Sequence, residues 1–415
     1  MSKKIFAVLV SLFLLGGCAV STEAAFLKEV PLNSTTKAIV VPDGIKSALF
    51  EMTKEITPDY FRASTKANQI FSPLSLWYAL GVLREGATGA SLEEIDRMMK
   101  LPSDFNSAEI IPELSKTLNF MEASKLLKDG TKSGIRLTNG IFFDKKYRKN
   151  IKDAFLNKAA TVWGTETAQV DFTKKAETQK LIKDWVSKKT DEFIPDYEAS
   201  FADDGSAILN IYNVLYLKDQ WLMPFDKLPD QVFHTVSGDV TTAFMGITEF
   251  SSAYAETARY QAAAYNGEKG IRVWFLLPKT GVAPMELIPD IQQVISTDRS
   301  ALLNFKAPTL DVDGDNLSLK SVLMGKGYTK IFTDGEFDNM LSGVTAVVED
   351  IKQKTKLQMD EKGFKAAAVT EISMTDTSAP ADPPIEFTVD RPYLIVIEYQ
   401  GLPLFISNIS DPSVK

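Results

Sequence analysis

Apolar residues recur along this chain first at helical spacing and later in strand-like runs. Ser72-Pro73 sets an N-cap before a proline at the first helical position, and the apolar spacing of Leu74–Leu83 predicts a helix. Ser91-Leu92-Glu93-Glu94 has the form of a capping box, with Ile95, Met98 and Met99 on the apolar face of the helix it would open. Leu181, Ile182, Trp185 and Val186 mark a further amphipathic helix. Strands follow. Ile208–Leu217 is mostly apolar and β-rich, as a strand buried on both faces would be. Val273–Leu277 stops at Pro278, and Tyr393–Ile397 and Leu404–Ile406 flank a Gly401-Leu402-Pro403 hairpin turn. Helices first and strands later, without regular βαβ alternation, predict an α+β fold. No repeat and no linker-like composition divides residues 43–415, so one large domain is expected there.

The first apolar run is of another kind. Ile5–Leu15 follows Lys3 and Lys4 and is shorter than the roughly 18 residues of a membrane span, so it fits a secretion signal. Leu15-Gly16-Gly17-Cys18 resembles the bacterial lipobox, which implies a lipid on Cys18 after cleavage just before it. Residues 1–17 are then a lipoprotein signal peptide, and 18–42 a lipidated N-terminus and flexible tether rich in Ser, Thr and Ala. The expected location is the bacterial cell envelope, anchored by lipid and exposed on the extracellular or periplasmic side.

Composition narrows the chemistry. The 415 residues are 45 % hydrophobic and 24 % charged, with a single cysteine, Cys18, and a single histidine, His234. These counts exclude a disulfide framework, Cys-rich zinc sites and a Cys–His catalytic pair in a mature chain that does not use Cys18. The net charge of −8 disfavours nucleic acid as a partner. Asp311-Val312-Asp313-Gly314-Asp315-Asn316 has an acidic, calcium-loop look, but the Gly and Glu required at loop positions six and twelve are Asn316 and Val322; a turn followed by a helix N-cap is expected instead. Lys145, Lys146, Arg148, Lys149 and Lys152 form a basic cluster, read as a solvated face. His234 lies in a strand-like alternation with no nucleophile signature near it, and no phosphate-cradling Gly loop occurs. No cofactor and no metal are expected.

Residues 361–384 differ from the rest. Their second half has the Ser, Thr, Asp, Ala and Pro content of an exposed loop. The first half alternates: Phe364, Ala366, Ala368, Thr370, Ile372 and Met374 make an apolar or small face, against a mostly polar or small one. Such a segment is either an edge strand running into a loop, or a loop able to become a strand.

Six motifs in order over about Gly44 to Pro412 make the chain resemble the serpin family. They are Asn68–Ser75, Gly86-Ala87-Thr88-Gly89, Asn213–Trp221 with Pro224-Phe225, Leu276-Leu277-Pro278-Lys279, Glu361-Lys362-Gly363 with Ala366-Ala367-Ala368, and Asp390–Tyr393 with Leu404-Phe405. The resemblance implies three β-sheets, eight or nine helices and an exposed reactive-centre loop over about 361–384. It implies no enzyme but a monomeric suicide inhibitor: a serine protease attacks the loop, forms an acyl-enzyme, and is trapped when the cut loop inserts into the main sheet. The uninserted fold is then held by a kinetic barrier. At about 1 kcal/mol net per hydrogen bond, insertion gains on the order of 10 kcal/mol. Glu361, Gly363, Phe364, Ala366, Ala367 and Ala368 would form the loop hinge; Ser72, Ser75, Asn213, Trp221 and Gln353 would lie along the path of insertion. Counting about sixteen residues on from the hinge glutamate places the reactive bond at Thr377–Ser378, with Met374–Thr375 as the alternative. Small or unbranched uncharged residues there imply elastase- or subtilisin-like targets.

The chain departs from the family pattern at two places that matter. Phe364 stands where a small hydroxyl residue is usual, and forcing a ring into a packed site costs about 1–3 kcal/mol. Gln353 stands for a histidine and is expected to face Asn213. Slow insertion at Phe364 would favour a non-inhibitory lipoprotein of the same fold acting as a binding or structural protein. An envelope hydrolase using His234 as base is a third reading.

Overall fold

The computed structural model describes residues 26–28, 40–119, 133–202, 204–364 and 383–415. Four helices open the fold: α1 (Asp43–Ala63), α2 (Pro73–Gly86), α3 (Gly89–Met98) and α4 (Ser107–Thr117). Then come α5 (Asp153–Trp163) and α6 (Lys175–Lys189), and the short α7 (Ile291–Ile295), α8 (Lys320–Gly325) and α9 (Lys330–Thr333). The first strands are β1 (Phe26–Lys28), β2 (Gln69–Phe71), β3 (Gly134–Asp144), β4 (Glu166–Val170) and β5 (Leu209–Gln220). A middle group is β6 (Asp226–Thr235), β7 (Gly238–Glu256), β8 (Tyr260–Asn266), β9 (Ile271–Pro278) and β10 (Ser300–Pro308). The last are β11 (Leu310–Ser318), β12 (Lys352–Met359), β13 (Gly363–Phe364), β14 (Ile385–Thr388), β15 (Tyr393–Tyr399) and β16 (Leu402–Ile409).

These strands form three sheets among the described residues. One has five strands in the order β1-β4-β3-β5-β13; a second has nine, β14-β10-β7-β8-β9-β15-β16-β2 with β6 paired to β7; the third is the pair β11-β12. The nine α-helices and three sheets among the described residues fit the α+β expectation. The expected β15–β16 hairpin forms, but its turn is Gln400-Gly401, both at positive φ, and Leu402 and Pro403, expected in the turn, already belong to β16.

Helix α2 is the hub. Ser72 Oγ accepts a hydrogen bond from Ser75 N at 3.2 Å and Pro73 fills the first turn, so the cap signalled in sequence forms. Almost every residue of α2 is buried, because it runs between the nine-stranded sheet, α5 and β5. Gly81 is small by necessity: it backs onto the Trp163 ring of α5. A second, smaller core of Phe142, Trp185, Val214 and Tyr216 lies under α6. Strand β5 separates the two cores. Its even-numbered Val214 and Tyr216 join the small core, and its odd-numbered Ile211, Leu215 and Leu217 pack half-buried on the large one.

Three expectations change. Ser91 and Glu94 do not cap α3, which starts earlier, with Thr88 before it. Glu94 instead accepts from the backbone N–H groups of Thr329, Lys330 and Ile331 at the start of α9, where a carboxylate answers three orphan donors. Ser91 Oγ accepts from Glu336 N at 2.9 Å. Residues 311–316 are not a turn but part of β11, because Asp311 and Asp313 pair across the ladder with Lys356 of β12. The tether over 18–42 is not free throughout: Phe26–Lys28 pairs antiparallel with β4, giving that sheet edge a cover strand. Cys18 lies outside the described residues.

Gly81→Ala places a methyl group inside the van der Waals envelope of the Trp163 ring. A loss of about 1–3 kcal/mol is expected, read as a lower urea midpoint at unchanged m-value.

Candidate functional site: a slot between two sheets and its hinge

Strands β5 and β12 run beside each other but do not pair. Among the described residues, β5 bonds to β3 on one edge and to β13 only at the end of the other, and β12 bonds to β11 alone. Between them lies a slot. Its lower part is a cavity of about 730 Å³ lined by Ser75, Leu80, Asn213, Met340, Val348 and Gln353, among others. Higher up it narrows between Leu215, Leu217 and Leu357. Two rows of backbone N–H and C=O groups thus face each other without a ladder, an arrangement that accepts one further strand.

The top of the slot is closed by the hinge. Gly363 pairs with Gln220 and Phe364 with Asp219, so the chain beyond β12 turns back and starts a strand on the edge of β5. Asp360 builds the turn: its Oδ1 accepts from Lys362 N at 2.8 Å and Gly363 N at 3.2 Å, and its backbone bridges to Gly363. Trp221 locks the turn. Its Nε1 donates to Asp360 O at 2.7 Å, its backbone N donates to Lys362 O, and Phe225 N donates to Glu361 O. Phe364 is 1 % exposed and meets the Trp221 ring edge-on, with centroids 4.9 Å apart. The cost expected for forcing this ring into a packed site therefore needs correcting. The ring already occupies its site, because Trp221 offers it an aromatic wall.

The middle of the slot is polar. Gln353 clamps the N-cap of α2: its Oε1 accepts from Ser72 N at 2.6 Å and its Nε2 donates to Ser72 O at 2.9 Å. Ser72 Oγ donates to Leu404 O at 2.7 Å. The expected pairing of Gln353 with Asn213 does not form, because both functions of the Gln353 amide are spent on the Ser72 backbone. Asn213 turns instead to Asn139, directly opposite on β3, donating to its Oδ1 at 2.8 Å. That leaves Asn213 Oδ1 and Asn139 Nδ2 without a partner among the described residues, both buried beside the cavity. Sequence reasoning missed Asn139, which sits in the ordinary strand run LTNGIFF.

It also missed Asp219. This residue is fully buried one step from the hinge, where Oδ1 accepts from Gln220 N and Oδ2 from Lys269 N, each at 2.9 Å. Burial pushes its carboxyl up to about 7, against the pull of those two hydrogen bonds. The apolar run ends at Leu217, and Lys218-Asp219-Gln220 reads as an ordinary polar strand end.

His234 stands apart, on the exposed β6–β7 hairpin. Its Nδ1 lies 2.7 Å from Asp239 Oδ1, and that hydrogen bond raises its pKa. The pairing gives a hydrolase base an orienting carboxylate, but the hydroxyls near it, Thr235 and Ser237, bond to each other within the hairpin. Ala366, Ala367, Ala368, Met374, Thr375, Thr377 and Ser378 lie outside the described residues.

Gln353→Ala leaves Ser72 N buried without a partner, while Ser72 O keeps its bond from Leu76 N. At about 1–3 kcal/mol for a buried group left unsatisfied, a loss of that size in unfolding free energy is expected, measurable by urea denaturation. Gln353→Glu keeps the acceptor for Ser72 N but sets a buried carboxylate oxygen against Ser72 O, so it is expected not to restore the loss at neutral pH.

The family model for serpins (serine protease inhibitors) matches residues 36–412. An uncharacterized serpin-like protein of Thermococcus kodakarensis is 26 % identical over 99 % of this chain and 99 % of its own length. Alpha-1-antiproteinase S of Cavia porcellus is 28 % identical over 85 % of this chain and 86 % of its own. The thermophilic serpin tengpin in its native state superposes with a TM-score of 0.75 at 20 % identity, over 94 % of this chain and all of that one. The unpaired edges, the hinge turned onto β5 and a family match spanning nearly all of the folded residues lead to one statement: this chain belongs to the serpin family.

Proposed function

We propose that the protein is a suicide inhibitor of serine proteases, cut in the loop after the hinge and trapping its target as that loop fills the slot. The observation that carries this reading is the strand already begun: Gly363 and Phe364 pair with β5 at the mouth of an unpaired slot. The chain is a member of a family whose relatives are named antiproteinases and protease inhibitors.

The register of the started strand defines how the rest would enter. Continuing antiparallel from Phe364 opposite Asp219 brings Ala366 opposite Leu217, Ala368 opposite Leu215 and Thr370 opposite Asn213. On the other side, the Asp360–Gly363 bridge brings Thr370 opposite Gln353. The alternation then fits the slot position by position. Small alanines cover the half-buried leucines, and Thr370, the polar member of the inward set, arrives at the polar midpoint. Its hydroxyl can donate to Asn213 Oδ1, the acceptor that lacks a partner. Each new main-chain hydrogen bond adds about 1 kcal/mol.

Incubation with an elastase- or subtilisin-type protease is expected to give an adduct stable to boiling in SDS. Thr370→Arg, which carries a charge to the slot midpoint, is expected to shift most of the product from adduct to free cleaved protein. Cleavage without adduct by every such protease would overturn the reading and leave a non-inhibitory serpin-fold protein. Sequencing the C-terminal fragment released from an adduct distinguishes Thr377–Ser378 from Met374–Thr375.

We further propose that Cys18 carries the lipid that holds the domain at the cell envelope. Cys18→Ser is expected to move the protein from the membrane fraction to the soluble fraction and to abolish incorporation of labelled fatty acid.

A further inference from the structure

Asp219 joins three segments. Its backbone, at the end of β5, pairs with Phe364 of the hinge. Its Oδ2 accepts from Lys269 N in the turn between β8 and β9. That turn is bound to the same strand end by two more hydrogen bonds, Glu268 N to Gln220 O at 2.9 Å and Leu222 N to Asn266 O at 2.8 Å. Gly267 packs so closely on the carboxyl that a Cβ there would collide with it. The carboxyl is therefore a fixed part of the frame against which the hinge pairs, and water does not reach it.

We propose that Asp219 is a pH-sensitive latch on the hinge: protonated, it holds the junction of β5, the 267–269 turn and Gly363–Phe364 closed; ionised, it loosens that junction and favours opening of the slot mouth. A neutral carboxyl avoids the cost of burying a charge in this dry site, at the smaller cost of one O–H donor to satisfy. A charged one is met, among the described residues, by two backbone N–H groups, and gains by moving to water. The charged groups around it do not settle the matter. Lys269 and Glu268 on the turn oppose each other, Lys218 flanks it on its own strand, and Glu361 and Lys362 lie on the hinge turn.

The direction follows from linkage. The carboxyl titrates near 7 in the closed junction and near its ordinary value of 3.8 once released to water. Opening therefore gives up a proton between these values. It becomes easier by up to about tenfold for each pH unit as pH rises through that window, and changes no further above it. The latch is firm in acid and released at neutral pH. It regulates the slot on which the inhibitor reading rests, but it is read out without any protease, so the two can fail separately.

The test is hydrogen exchange of the full chain between pH 5 and pH 8.5, reported as protection factors so that the intrinsic pH dependence of exchange cancels. Protection at the Gln220 and Phe364 amides is expected to fall about tenfold or more from pH 5 to pH 7 and to stay level above, while β15–β16 amides stay constant. Asp219→Asn is expected to hold protection at these amides independent of pH. A flat wild-type profile, or an unchanged profile in Asp219→Asn, would overturn the proposal. If the variant fails to fold, carboxyl carbon-13 shifts in aspartate-labelled wild type decide it. One carboxyl titrating above pH 6 supports the latch; none overturns it.

Discussion

Two sheet edges left unpaired over most of their length among the described residues govern this structure. A β-strand edge left unpaired is a standing demand for hydrogen bonds, and here β5 and β12 present two such edges to the same slot. The remaining features manage that demand. Helix α2 forms the floor, Gln353 ties β12 to the N-cap of that helix, and the Asn139–Asn213 pair ties β5 to β3. Leu215 and Leu217 stay half-buried, with no strand over them among the described residues. On the proposed reading these edges and this apolar surface are what the inserted loop would cover, which keeps a lower-energy arrangement within reach.

The hinge shows how the first step can be settled in advance. A large residue at the head of an inserting strand is an obstacle if it must push neighbours aside. Phe364 does not have to, because Trp221 stands edge-on to it and the Asp360 turn fixes its approach. On the proposed reading the ring acts as a peg that sets register: with Phe364 opposite Asp219, each residue inserted after it would have an assigned partner, and a slip by one would bring Lys365 inward. What looked in the sequence like a defect of the hinge is, in the fold, the contact that defines where the strand begins.

Much of the fold was legible because its signals are local. The Ser72-Pro73 cap and the β15–β16 hairpin each follow from a few adjacent residues. What was not legible depends on partners far along the chain. Glu94 reads as the end of a capping box until α9 arrives to take its oxygens. Asp311 and Asp313 read as a turn until Lys356 comes opposite. Gln353 was expected to face Asn213, and nothing near it in sequence says that Ser72 will claim both ends of its amide. Asp219 lies past the Ile208–Leu217 run that reads as a buried strand, and its role depends on a turn about 50 residues later in the chain.

The scarcity of reactive side chains now has a physical place. The described slot is lined by aliphatic, aromatic, amide and hydroxyl groups, together with the charged Lys320, Glu349, Asp350 and Lys352. Such a lining suits the receipt of a strand, which needs free edges, a register and small residues to bury. On the proposed reading the nucleophile, base and oxyanion hole all come from the protease. The contribution of this chain is then mechanical: a held-open pair of edges, a peg at one end, and a loop whose alternation matches the slot.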